Sequence, residues 1–195
     1  MTLARAALLA VVLALPAQAQ VAVGTLLSVT SGDWNGDEYE DAAMLIQAED
    51  GLADLIVYWG SFQGMRADFT LPSVVFAGPM AGQTPQLRRR SDSAFDILTE
   101  QTGVGRTPWS QAITVAYRGG SLMVAGFDHG FYDRLDLSHY GNCSVNLLTN
   151  RFSLTVAPGD GAPERHDEGV TEASSFPLRD LTESFMPTIC ADLWQ

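Results

Sequence analysis

Short apolar runs of strand length, each closed by turn-forming residues, fill the chain from residue 41 onward and leave little room for helix. The clearest case begins at Gln111. Through Arg118, Ile113, Val115 and Tyr117 alternate with Thr114 and Ala116. Gly119-Gly120 then tolerates positive φ at both positions of a two-residue turn, and Leu122 to Phe127 returns. Simple alternation assigns Leu122 and Val124 to one face of the returning run, and Met123, Ala125 and Phe127 to the other. Asp41 to Gln47 and Leu52 to Trp59 flank Glu49-Asp50-Gly51 in the same manner. Gln86 to Arg90 and Phe95 to Gln101 flank Ser91-Asp92-Ser93, and Ser144 to Leu148 and Phe152 to Val156 flank Thr149-Asn150-Arg151. Phe69 to Phe76 contains Pro72, which cannot donate to a ladder and so marks an edge strand. Residues 76–84 and 158–169 read as loops, the second mobile, and Leu178 to Phe185 offers a turn or two of helix. Seven or eight such strands predict a mainly β fold (α+β at most), with antiparallel strands and hairpins in a single compact domain and little helix.

The N-terminus predicts an address. Arg5 precedes an apolar run from Ala6 to Leu15, Pro16 breaks it, and Ala17-Gln18-Ala19 has the small-x-small form of a cleavage site. The run is half of the ~20 residues a membrane-spanning helix needs, so 1–19 is expected to be a signal peptide and 20–195 one exported domain, periplasmic or secreted, with no membrane span. The two cysteines, Cys143 and Cys190, both lie in the exported part. In an oxidising compartment such a pair is expected to bridge, with two buried free thiols as the alternative. The net charge of −12 repels phosphate and excludes nucleic acid as a partner. All 11 basic residues are arginines, which excludes Schiff-base chemistry and a phosphate-loop lysine.

One segment carries recognisable chemistry. From Asp33 it reads Asp33-x-Asn35-x-Asp37-x-Tyr39-x-Asp41, with Glu38 and Glu40 adding two further carboxylates. A hard cation such as Ca²⁺ takes six to eight oxygens, and alternate side chains of a tight loop can converge on it. Tyr39 would offer its backbone carbonyl. The stretch resembles the calcium loop of FG-GAP/VCBS-type sequences, close to D-x-N-G-D-G-x-x-D before an apolar strand, through Asp33, Asn35, Gly36, Asp37 and Asp41. That resemblance implies Ca²⁺ held by the side chains of Asp33, Asn35, Asp37 and Asp41. It covers about a dozen residues and occurs once, so no propeller is implied. Glu38 stands where the pattern has Gly and would have to accept a left-handed backbone. Met44 stands where an EF-hand has its bidentate Glu. More loosely, this loop together with Gly103, Gly105, Arg106 and Trp109 and the Asn146 to Thr149 turn resembles small uncharacterised exported bacterial proteins.

Asp128, His129, Asp133 and His139 form a second set, of acid–base and metal-ligand types, without a nucleophile motif or zinc spacing. Gly103-Val104-Gly105-Arg106 reads as a turn between strands, and Arg88-Arg89-Arg90 as a strand whose alternate arginines are exposed. Trp34, inside the acidic loop, is a candidate to cover an ion or touch a partner. These features predict an exported, non-enzymatic calcium-binding β domain acting on an unknown protein or envelope component. A periplasmic hydrolase built on Asp128, His129, Asp133 and His139 is the first alternative. An inhibitor or immunity-type protein with an acidic surface is the second.

Overall fold

The computed structural model describes residues 24–194, so the expected signal at 1–19 lies outside the described residues. Two antiparallel sheets carry the fold. The first contains β1 (Leu26–Gly32), β2 (Asp41–Gln47), β3 (Leu52–Trp59) and β4 (Arg66–Phe76), side by side in chain order. The second contains β5 (Gln86–Ser91), β6 (Ala94–Gln101), β7 (Trp109–Arg118), β8 (Ser121–Tyr132), β9 (His139–Asn146), β10 (Arg151–Pro158) and β11 (Arg165–Val170). The short β12 (Phe176–Pro177) pairs with the start of β8. Helix among the described residues is confined to two 3-10 segments, Leu178–Asp180 and Thr188–Trp194. The mainly β, single-domain expectation holds.

Local chemistry explains the meander. Turns too short for a crossover force each strand back beside its predecessor. Asp50 and Gly51 take φ of 59° and 74° at the β2–β3 turn, and Gly119 and Gly120 take 59° and 88° at the β7–β8 turn. The inner faces of both sheets share one core. The first sheet gives Ala43, Leu45, Leu55 and Val57; the second gives Phe95, Ile97, Val115, Val124, Phe127, Val145 and Leu154. Fully burying a side chain of this size contributes about 1.5–3 kcal/mol. The Ser28 hydroxyl on β1 accepts the Leu87 N–H of β5 at 2.9 Å and joins the two sheets. Leu178, Leu181, Cys190 and Leu193 close the core from the C-terminal side. Cys143 on β9 and Cys190 form a disulfide with a Cα–Cα distance of 5.5 Å, which ties that segment to the second sheet.

Three sequence expectations change. The β7–β8 register passes from Thr114↔Gly126 to Val115↔Val124, which leaves Ala125 as an extra residue. That bulge resets the alternation. Phe127 therefore enters the core with Val124, and Ala125 turns to the opposite face, where it packs with Ala94 and Ala116. The segment read as loop at 158–169 contains most of β11, whose Glu168 and His166 pair with Ser153 and Thr155. Its exposed sequence RHDEGV has no apolar alternation to reveal it. β1, to which the sequence reading assigns no strand, is the third change. As expected, β4 is an outer strand; Ser73, after Pro72, has φ 50° and donates its N–H to Asp54 Oδ1 at 2.8 Å.

Candidate functional site

Residues 33–40 connect β1 to β2. The Asp33 carboxylate organises this loop by accepting three backbone N–H groups: Gly36 and Asp37 at Oδ1 (2.8 and 2.9 Å) and Glu38 at Oδ2 (2.9 Å). Asn35 Oδ1 accepts the Asp37 N–H, and Asp37 Oδ1 accepts the Tyr39 N–H, both at 3.0 Å. The Asn35 amide donates to Asp37 Oδ2 at 3.0 Å. These are Asx-type turns, in which a short side chain takes the hydrogen bond a longer turn would give the backbone. Gly36 has φ 77°, and Glu38 has φ 72°. Glu38 thus adopts the left-handed backbone that the pattern's glycine would supply, at a cost of about 1–2 kcal/mol.

Asp41 closes the loop from the first position of β2. It is fully buried, accepting the Trp34 N–H at Oδ2 (3.0 Å) and the Gly60 N–H at Oδ1 (2.9 Å). Only glycine permits the second contact, because a Cβ at residue 60 would lie 2.2 Å from the Glu40 carbonyl oxygen. Burial raises the Asp41 pKa above the ordinary carboxylate range; the Gly60 and Trp34 N–H groups oppose the rise and the Asp37 charge adds to it. Trp34 is a core side chain rather than a cover or a partner contact. It is 2% exposed and lies 4.7 Å from the Phe95 ring. The loop is thereby anchored at both ends, by Trp34 in the core and by Asp41 on two backbone donors.

Among the described residues no three Asp, Glu, His or Cys side chains are gathered into a cation cage. The side chains of Asp33, Asn35 and Asp37 are turned onto loop N–H groups, and Tyr39 is 41% exposed. In donor type and backbone course the loop still suits a hard cation. Its side chains offer carboxylate and amide oxygens, and the carboxylate it buries, Asp41, has no basic hydrogen-bond partner among the described residues.

The Asp/His set separates into three places. Asp128 and His129 are neighbours on β8 and point to opposite faces. His129 is buried between Trp109 and Phe127, with ring centroids 5.9 and 6.3 Å away, and burial lowers its pKa. Asp133, at the end of β8, is clamped by Arg106 Nε at 2.8 and 2.9 Å and accepts the Leu135 N–H at 2.8 Å. The Arg106 hydrogen bonds, then that N–H, hold its carboxyl far below the usual range. Of the set, only His139 approaches Asp133, with Nδ1 3.6 Å from Oδ2. The Arg106–Asp133 pair pins the 102–108 connection, which is the expected turn between β6 and β7, to the end of β8. The arginine run is more specific than expected. Arg88 and Arg90 both reach over the outer face of the second sheet to the buried Asp96, at 3.0 and 3.1 Å.

That outer face sets Asp128 among residues no sequence motif singled out. Cross-strand pairing sets Gln86, Leu98, Ala112, Asp128, Ser144 and Ser153 in one row across six strands. No known protein family, curated protein or solved structure matches the chain.

Proposed function

We propose that this protein is an exported, non-catalytic β domain with a binding role outside the cytoplasm, in which the 33–41 loop takes a structural Ca²⁺ ion. The observation that carries the metal reading is Asp41: a fully buried carboxylate, without a basic partner among the described residues, at the end of a loop whose backbone is left-handed at Glu38. Asp33, Asn35, Asp37 and Asp41 would hold the ion with their side chains and Tyr39 with its carbonyl. The ion would supply positive charge against the Asp37–Asp41 repulsion and fix the entry into β2. The disulfide between Cys143 and Cys190 and the absence of a long apolar helix among the described residues fit an extracytoplasmic address. The separation of Asp128, His129 and Asp133 favours binding over hydrolysis, because general acid–base work needs those groups at one point.

Thermal melts in Ca²⁺ and in chelator test the ion. For a dissociation constant on the order of 10⁻⁴ to 10⁻³ M, 10 mM Ca²⁺ stabilises by about 1.4–2.7 kcal/mol, or about 3–10 °C in a domain of this size. Asp37→Ala should abolish that rise. An unchanged midpoint in 10 mM Ca²⁺ overturns the metal reading.

A further inference from the structure

The second sheet has one face in the core and the other open. On the open face, over β5 to β10, lies a cleft of about 400 Å³, within the range of about 300–1,000 Å³ of small-molecule sites. Its floor is small: Ala112 and Gly130 leave room, and a Cβ at Gly130 would come within 2.6 Å of the Asn142 side chain. Gln86, Ser110, Asn142, Ser144 and Ser153 line it with hydroxyls and amides. Glu100, Asp128 and the buried His129 are its titratable lining residues, and no arginine is among those that line it. Asp128 stands near the middle, with Gly126 and Gly130 two residues to either side on its own strand. No hydrogen bond or ion pair with a described residue takes up its carboxylate.

A groove of similar size beside the acidic loop makes the contrast. There Asp68 is already bound by Arg179 at 2.7 Å and by the Trp59 indole at 2.8 Å, and Arg179 lies over Phe69. Its polar groups are spent on one another. Those of the sheet cleft are not.

We propose that the open-face cleft binds a small hydroxylated molecule carrying a protonated amine, of the amino-sugar class, with Asp128 as the anchoring carboxylate. The hydroxyl and amide lining matches a polyol, and the scarcity of large apolar side chains disfavours a flat aromatic ligand. Two carboxylates beside a single buried histidine, His129, whose pKa burial lowers, select a cation, since a net negative site repels anions and gains from charge-assisted hydrogen bonds to an ammonium. Glu100 and Asp128 lie on strands two apart, about 10 Å across the sheet, so a disaccharide carrying an amine on each ring can address both. The inference deepens the binding reading above and is independent of the calcium loop, which belongs to the other sheet.

The test is calorimetric titration with the glucosamine disaccharide, its N-acetylated form and a neutral glucose disaccharide. Wild type, Asp128→Asn and Glu100→Gln are compared, with Ca²⁺ held constant. The amine form should bind at least about tenfold more tightly than the other two, Asp128→Asn should lose about tenfold or more, and Glu100→Gln should lose less. Thermal melts of each variant confirm folding. No heat from the amine form, equal binding of the three sugars, or undiminished binding to Asp128→Asn would overturn the proposal. Ca²⁺ stabilisation retained in the same preparations shows such a failure to lie in the cleft and not in the loop.

Discussion

Replacing Asp41 examines the loop anchor most directly. Two backbone donors, the buried Trp34 N–H and the half-buried Gly60 N–H, depend on its two oxygens at 3.0 and 2.9 Å. Stranding a buried donor costs about 1–3 kcal/mol, so Asp41→Ala, which strands both, should cost about 4 kcal/mol. Asp41→Asn keeps one acceptor oxygen and turns an amide donor against the other N–H. It also removes a charge whose burial is unfavourable, so its net cost should be smaller, about 1–2 kcal/mol. At about 2–4 °C per kcal/mol for a domain of this size, the midpoints should fall by about 8–16 °C and 2–8 °C. Urea unfolding in chelator at pH 7, followed by far-ultraviolet circular dichroism and tryptophan fluorescence, measures both. The order matters more than the absolute values: Ala should be worse than Asn, and Asn worse than wild type. Stability of Asp41→Ala within about 0.5 kcal/mol of wild type would refute the claim that this carboxylate closes the loop.

Two further perturbations address other parts of the molecule. Replacing Cys143 and Cys190 together by Ser should cost about 4 kcal/mol by the chain-entropy argument for a 47-residue separation, and a denaturation midpoint unchanged between oxidised wild type and variant would contradict it. Asp133, its pKa depressed chiefly by Arg106, contributes stability that is present above about pH 4 and fades as pH falls toward its folded-state value. Arg106→Gln should therefore flatten the loss of stability between about pH 4 and 2, and parallel pH profiles for variant and wild type would rule this out.

What the sequence discloses is local. The hairpins at β2–β3, β5–β6 and β7–β8 were readable because apolar alternation and turn chemistry lie within a few residues of each other. β11 was not, since its side chains are polar and its place depends on backbone pairing with β10. The facing of Phe127 was misread because one bulged residue, Ala125, inverts everything after it. In the acidic loop the sequence picked out Asp41 but not its bond to Gly60, 19 residues away. It likewise listed Asp128 beside His129, whereas strand geometry sends one outward and the other into the core. The row joining Asp128 to Gln86 and Ser153 exists only once the strands are in register.

Of the four outer strands, β1 and β5 meet each other through the Ser28–Leu87 hydrogen bond, which leaves β4 and β11 to govern how copies of this chain meet. β4 lacks a donor at Pro72 and bends at Ser73, whose N–H is already taken by Asp54. β11 presents Arg165, His166, Asp167 and Glu168 in succession. A second molecule trying to extend either sheet would find an interrupted ladder on one margin and crowded charge on the other. Those margins are thereby protected against strand-by-strand polymerisation into fibrils.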